Sequence, residues 1–129
     1  MKKNFLLINA NYYKDISSGL VKNALNLIPK NCKIKIINVP GVFEIPVTIS
    51  KNLKKFDAFI ALGCVIKGET PHFDFISQAT TEAIMNLSVF SKKPVGNGII
   101  TCLNMKQARA RKRKGAEAVN AVLSVLSQK

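Results

Sequence analysis

The chain has 129 residues, 47% of them hydrophobic, which is enough for one compact domain with a core of useful size. Its 20 lysine and arginine residues against 7 acidic residues give a net charge of +13, which favours anionic ligands or partners. The longest uncharged apolar run, residues 58–66, is about half of what would span a bilayer. A membrane span is therefore excluded. The three cysteines are an odd number and form no CxxC pair, so neither a disulfide framework nor a zinc site is indicated.

The amino end carries no sign of export. Residues 1–15 contain only a short apolar stretch, and no small-residue cleavage pattern follows it. We therefore expect residues 1–129 to form a single cytoplasmic domain without a bound metal.

Strand and helix patterns alternate along the chain. Short apolar runs rich in β-branched residues predict buried strands at residues 5–8, 34–39, 58–65 and 98–101. Apolar residues at helical spacing predict helices near residues 16–28, 45–53, 76–87 and 119–126. Strands joined by helices run parallel. The predicted fold class is α/β, a three-layer α/β/α sandwich of the flavodoxin-like type with a four-stranded parallel sheet.

Polar and aromatic residues follow each of the first three predicted strands, at positions 11–13, 40–44 and 67–72. Ligands of open parallel sheets bind beyond the carboxyl ends of the strands, where these segments meet. In the third segment, Gly68 suits a tight turn, Thr70 a helix N-cap and Pro71 the first helical position. The free N–H groups of such a helix start predict an anion site, most simply for phosphate.

Two other features have ordinary interpretations. His72, the only histidine, stands at a helix start, where histidines commonly cap or face solvent. Residues 106–114 hold six cations in nine positions, which is typical of a solvated or nucleic-acid-contacting surface. Physical reasoning alone therefore ends at a basic α/β domain with an anion site at its strand ends.

Several longer segments carry a resemblance. VPGVFEIP at residues 39–46, ALGCVIKGETPHFDFI at 61–76, PVGNGIIT at 94–101 and KGAEA at 114–118 together resemble the lumazine synthase (6,7-dimethyl-8-ribityllumazine synthase) family. The resemblance implies a transferase that condenses 5-amino-6-(D-ribitylamino)uracil with 3,4-dihydroxy-2-butanone 4-phosphate in the penultimate step of riboflavin biosynthesis. It also implies that no cofactor is used. The expected assembly is a homopentamer, which in some members builds a 60-subunit shell.

The resemblance also implies roles for individual residues. His72 is expected to carry protons in catalysis. Tyr12 is expected to stack on the pyrimidine of its own subunit's site. Asn97 is expected to contact the heterocycle bound in the site of a neighbouring subunit. The remaining pyrimidine and ribityl contacts fall on Val42, Phe43, Glu44, Val65, Ile66 and Lys67. The phosphate contacts fall on Gly68, Glu69, Thr70 and, from a neighbouring chain, Arg111.

Some alternatives stay open. Arg109 and Arg113 remain alternatives to Arg111, because the segment that follows is shorter than in the family. A riboflavin- or flavin-binding relative with weak or no catalysis is the second hypothesis, suggested by Tyr12 and Asn97. A nucleic-acid-binding protein is the third and least favoured, since no helix-turn-helix, KH or RRM signature is present.

Overall fold

The computed structural model describes residues 2–128, which form four strands and five α-helices. In chain order these are β1 (Asn4–Ala10), α1 (Lys14–Leu27), β2 (Lys33–Val39), a 3-10 turn (Val42–Glu44), α2 (Ile45–Lys51), β3 (Ala58–Ile66), α3 (His72–Ser91), β4 (Val95–Cys102), α4 (Met105–Arg109) and α5 (Lys114–Leu126). Within this part of the chain, every helix is too short or too polar to cross a membrane.

The four strands form one parallel sheet in the order β2-β1-β3-β4. Alternate residues of β1 face opposite sides, so Phe5 and Leu7 pack in a core beneath α1 and α5, whereas Leu6 and Ile8 pack in a second core beneath α2 and α3. The predicted α/β class and the flavodoxin-like three-layer sandwich with a four-stranded parallel sheet are confirmed.

The prediction that all four strands are buried was wrong for β2. Ile34 and Ile36 are 38% and 42% exposed, because β2 is an edge strand that α1 covers only in part. Helix α4 was not predicted from the sequence. Asn104 begins this helix, since its side-chain oxygen accepts a hydrogen bond from the N–H of Gln107 at 2.9 Å.

Helices α1 and α5 approach closely because α5 has a glycine at the contact. A Cβ atom at Gly115 would collide with the backbone carbonyl of Leu20 in α1. A backbone atom cannot move away as the end of a flexible side chain can. The contact therefore requires glycine, although glycine is unfavourable inside a helix.

We expect Gly115→Ala to lower the free energy of unfolding by about 1–3 kcal/mol, because overpacking at this contact outweighs the better helix propensity of alanine. Urea denaturation measures the change. Gly68→Ala is the matched control, since a Cβ at Gly68 meets no atom within 4 Å. Equal stability of the two variants would show that the contact between α1 and α5 tolerates a side chain.

Candidate active site

A cleft of about 350 Å³ lies at the carboxyl ends of the strands, where ligands of this sheet type bind. Six of its ten lining residues were named from the sequence: Tyr12, Val42, Phe43, Val65, Ile66 and His72. The other four are Tyr13, Gly41, Cys64 and Ile76. Cys64 and Ile76 carry no sequence signal that separates them from core residues, whereas Tyr13 is marked by its place beside Tyr12 at the end of β1.

The wall formed by the 3-10 turn depends on close packing against β3. Val42 is buried, and a Cβ at Gly63 in β3 would lie 2.6 Å from Val42 Cγ1. The turn is also closed by Glu44, whose Oε1 accepts a hydrogen bond from the N–H of Gly41 at 3.0 Å. The glycine in β3 therefore lets the turn reach the floor of the cleft and present Phe43, which is 64% exposed.

Two tyrosines form the opposite side of the cleft. Their rings meet edge to face, with centroids 4.9 Å apart and planes inclined at 85°. Tyr13 is half-buried, and its burial, with a smaller contribution from Cys64, raises the pKa of its hydroxyl above the usual value. Tyr12 is 74% exposed. The buried ring thus supports the exposed one, which presents an aromatic surface for a planar ligand.

Cys64 contributes to the floor of the cleft. The parallel register pairs Cys64 with Ile100 and Ile66 with Cys102, so the two thiols lie diagonally on neighbouring strands. Burial, and to a lesser extent the adjacent Cys102, raises the pKa of Cys64 to about 12. Because the thiolate is the nucleophilic form, Cys64 is unreactive at neutral pH. No group of three or more potential metal ligands occurs among residues 2–128.

The loop between β3 and α3 borders the cleft, and its residues 67–71 are all exposed. The backbone at Gly68 does not use the conformational freedom of glycine, since none of the glycines of residues 2–128 has a positive φ. The expected N-cap at Thr70 was one residue early. Pro71 occupies the cap position and α3 begins at His72, whose N–H is the first available donor and bonds Thr70 Oγ1 at 3.4 Å.

Glu44 does not line the cleft. It borders an adjoining apolar groove of about 410 Å³ that runs between α2 and α3 and shares only Phe43 with the cleft. One carboxylate oxygen of Glu44 is engaged by the N–H of Gly41. The other oxygen remains the one through which this side chain could meet a ligand.

Asn97 and Arg111 lie away from the cleft, on the side of edge strand β4. Asn97 is exposed, and its Oδ1 accepts a hydrogen bond from the N–H of Ile99 at 3.0 Å. Arg111 borders a separate cavity of about 680 Å³ and has Nη1 3.9 Å from Cys102 Sγ. The two hollows have no lining residue in common. A single chain therefore does not bring Arg111 to His72.

The three candidate arginines occupy two different places. Arg113 borders the same cavity as Arg111, near the ion pair between Lys114 and Glu117, whose atoms are 3.9 Å apart. Arg109 instead borders a small hollow at the start of α1, together with Tyr13. Arg111 and Arg113 thus border β4 and the start of α5, whereas Arg109 stays near the cleft of its own chain.

Comparison with known proteins agrees with this geometry. A sequence model of the family described as 6,7-dimethyl-8-ribityllumazine synthase matches residues 2–129. The chain is similar to proteins of that name from Bartonella tribocorum (37% identity over 99% of this chain and 91% of the relative), Agrobacterium fabrum (38%, 99% and 95%) and Methylorubrum extorquens strain PA1 (40%, 96% and 79%). A match of this extent, together with the cleft at the strand ends, establishes that the chain belongs to the 6,7-dimethyl-8-ribityllumazine synthase family.

Proposed function

We propose that this chain condenses 5-amino-6-(D-ribitylamino)uracil with 3,4-dihydroxy-2-butanone 4-phosphate to give 6,7-dimethyl-8-ribityllumazine. The observation that carries the proposal is the cleft at the carboxyl ends of the strands, which joins exposed aromatic rings, His72 and an open glycine-containing loop. We assign the reaction to the cytoplasm and to riboflavin biosynthesis.

The two substrates fit different parts of this arrangement. Tyr12 and Phe43 offer exposed rings for the pyrimidine, and Val65 and Ile66 offer a half-buried surface beneath it. The ribityl chain, which is rich in hydroxyl groups, extends toward the turn at Val42–Glu44. Lys67 is exposed at the border between these contacts and the loop.

The phosphate is assigned to the loop of Gly68, Glu69 and Thr70. The amino end of α3, a helix of 20 residues, follows this loop directly. Free N–H groups and the helix dipole favour a dianion there. A side chain at Gly68 would meet no atom within 4 Å, and this open space suits the close approach of a phosphate group to the backbone.

Proton transfer is assigned to His72. The family reaction proceeds through imine formation, elimination of phosphate and ring closure, and each of these steps moves protons. An imidazole can donate and accept protons near neutral pH. His72 lies in the first turn of α3, where it borders both the cleft and the phosphate loop. Cys64, the thiol that lines the cleft, stays protonated and takes no part.

Completion of the site by a second copy of the chain explains the separate position of Arg111 and Asn97 near edge strand β4.

The exposed face of α3 also favours assembly. Four large apolar side chains of α3 are more than half exposed: Phe75, Met85, Val89 and Phe90. Monomeric proteins seldom expose such a face. We propose a homopentamer as the minimum assembly, with a 60-subunit shell as the larger form.

A flavin-binding relative is the second candidate function. The exposed Tyr12 ring would stack on an isoalloxazine as well as on a pyrimidine. The side-chain oxygen of Asn97 is already engaged by its own strand, which leaves less of this residue for a substrate. A flavin binder would retain ligand in the cleft without turnover, so an activity measurement separates the two functions.

We expect the purified protein to form lumazine from the two substrates, measured by product fluorescence. His72→Ala should slow turnover by about tenfold to a hundredfold and not abolish it, because imine chemistry also proceeds unaided in water. His72→Asn, which keeps a polar side chain but does not titrate, should behave like the alanine variant. Rates equal to the unmodified protein would remove the proton-carrying role. Tight riboflavin binding without turnover would favour the second function.

The cysteines provide a test of the unreactive cleft floor. At pH 8 a thiol-specific reagent should label one thiol per chain rapidly, at the half-buried Cys32, because a thiol with a pKa near 12 is thiolate in about one molecule in ten thousand. Cys32→Ser should abolish the rapid phase, and labelling should leave turnover unchanged. Rapid modification of Cys64 with loss of activity would contradict the assignment.

Arg111→Ala should raise the Michaelis constant for the butanone phosphate roughly tenfold to a hundredfold, since a charge-assisted hydrogen bond contributes about 1.5–3 kcal/mol. The constant for the pyrimidine should hardly change. The effect should persist at high salt, whereas Lys112→Ala and Arg113→Ala should act through long-range attraction that salt screens. A larger effect from Arg109→Ala would place the phosphate arginine in the same chain as the cleft.

Mixed assemblies test whether the arginine comes from a neighbour. Arg111→Ala and Gly68→Leu, which fills the phosphate loop with a side chain, should each be nearly inactive at low butanone phosphate. When the two are unfolded and refolded together, about a quarter of the sites in a ring combine an intact loop with an intact arginine. Recovery of activity toward that fraction supports a shared site, and no recovery places both groups in one chain.

A further inference from the structure

Lysines mark the start of every strand. Two lysines lie at the first residue of each strand or among the four residues before it. These eight residues, named here the amino rim, are Lys2 and Lys3 before β1, Lys30 and Lys33 at β2, Lys54 and Lys55 before β3, and Lys92 and Lys93 before β4. In the sequence the four pairs are far apart and form no cationic run.

The parallel sheet gathers the four pairs into one row. Strand starts are linked laterally by backbone hydrogen bonds, from the N–H of Lys33 to the carbonyl of Lys3 at 3.0 Å and from the N–H of Asp57 to the carbonyl of Asn4 at 2.8 Å. The start of β4 joins the row through the N–H of Phe59, which bonds the carbonyl of Pro94 at 3.0 Å. The amino rim therefore follows the sheet edge opposite the cleft.

The charge of the amino rim is not neutralised within residues 2–128. Eight lysines stand against one acid in these segments, Asp57, which leaves a net charge of +7. The Asp57 carboxylate accepts a hydrogen bond from the N–H of Asn4 at 2.8 Å, and the single ion pair found in residues 2–128 is Lys114–Glu117. Six of the eight lysines are exposed, and only Lys3 and Lys93 are half-buried.

The spacing of this row identifies its partner. Neighbouring strands lie about 4.8 Å apart, so the row from β2 to β4 is about 14 Å long and carries one positive charge per about 2 Å. Duplex DNA carries one negative charge per about 1.7 Å of its axis. We propose that the amino rim binds the phosphate backbone of a nucleic acid, without reading its sequence.

The residue types agree with binding to the backbone alone. All eight cations are lysines, which act as flexible point charges and lack the planar fork with which arginine reads guanine. A single row of charges matches a linear polyanion better than it matches a flat anionic membrane. The amino rim lies at the opposite edge from the phosphate loop, so its charges have no part in holding the butanone phosphate.

Fluorescence anisotropy tests the proposal. The labelled probes are duplex DNA, single-stranded RNA and inorganic polyphosphate of similar charge, and comparing them shows whether the amino rim binds nucleic acid or any chain of phosphates. The rim variant carries Lys2→Gln, Lys30→Gln, Lys54→Gln and Lys92→Gln, one exposed lysine from each strand. At about 100 mM salt it should bind nucleic acid about a hundredfold more weakly than the unmodified protein. The slope of log affinity against log salt is negative, and its magnitude should decrease by about 3–4. Lumazine synthesis should be unchanged.

The matched control removes four exposed lysines elsewhere, through Lys14→Gln, Lys22→Gln, Lys67→Gln and Lys106→Gln. It should retain most of the nucleic-acid affinity. Equal losses of affinity in the two variants would show that net charge alone causes the binding, and would overturn the proposal. Two other results would also overturn it: no binding of nucleic acid at 50 mM salt, and binding of polyphosphate only. Lysine-dependent binding to phosphatidylserine vesicles in place of the oligonucleotides would assign the amino rim to a membrane.

Discussion

The parallel direction of all four strands is the constraint from which the rest of this structure follows. The helix between two consecutive strands must return the chain to the end of the sheet where the previous strand began. All four strands therefore start at one end of the sheet, called here the amino edge, and finish at the opposite end, the carboxyl edge. Segments that lie far apart in the sequence are brought together at the carboxyl ends to form the cleft, and the segments before the strands form the opposite edge. The two rows of strand ends can bind different ligands because the length of the buried sheet separates them.

The cleft is built mainly from backbone proximity and apolar contacts, with few charged groups. Gly63 admits Val42 to the floor, and Tyr13 supports the exposed ring of Tyr12. Burial keeps Cys64 protonated despite its place in the cleft. The chain thus provides stacking surfaces and one imidazole at this place, while the arginines at residues 111 and 113 line a separate cavity beside β4 and α5. In the proposed assembly, a neighbouring chain would supply the missing cation.

The net charge of +13 is distributed unevenly over the fold. One group of cations follows β4 in the run at residues 106–114, which contains the arginine proposed to reach a neighbouring chain's phosphate loop. A second group follows the amino edge of the sheet and has no acidic counterpart beyond Asp57. The proposed phosphate contact would account for Arg111 in the first group and gives no reason for the second group. An anionic partner at the amino edge provides that reason, and its binding would be sensitive to salt.

The sequence by itself determined the fold class, the family and most of the cleft, because buried strands and the GETPH segment leave strong local patterns. It did not determine the exposed face of β2, since edge position depends on strand order and an edge isoleucine looks like a core isoleucine. It also left Tyr13 and Cys64 without a role, because their neighbours come from other segments. Only the tertiary structure separated Arg109 from Arg111 and Arg113, and only it aligned the eight lysines of the amino rim. Both results depend on which strand starts and ends become neighbours, and long-range pairing in the sheet decides this.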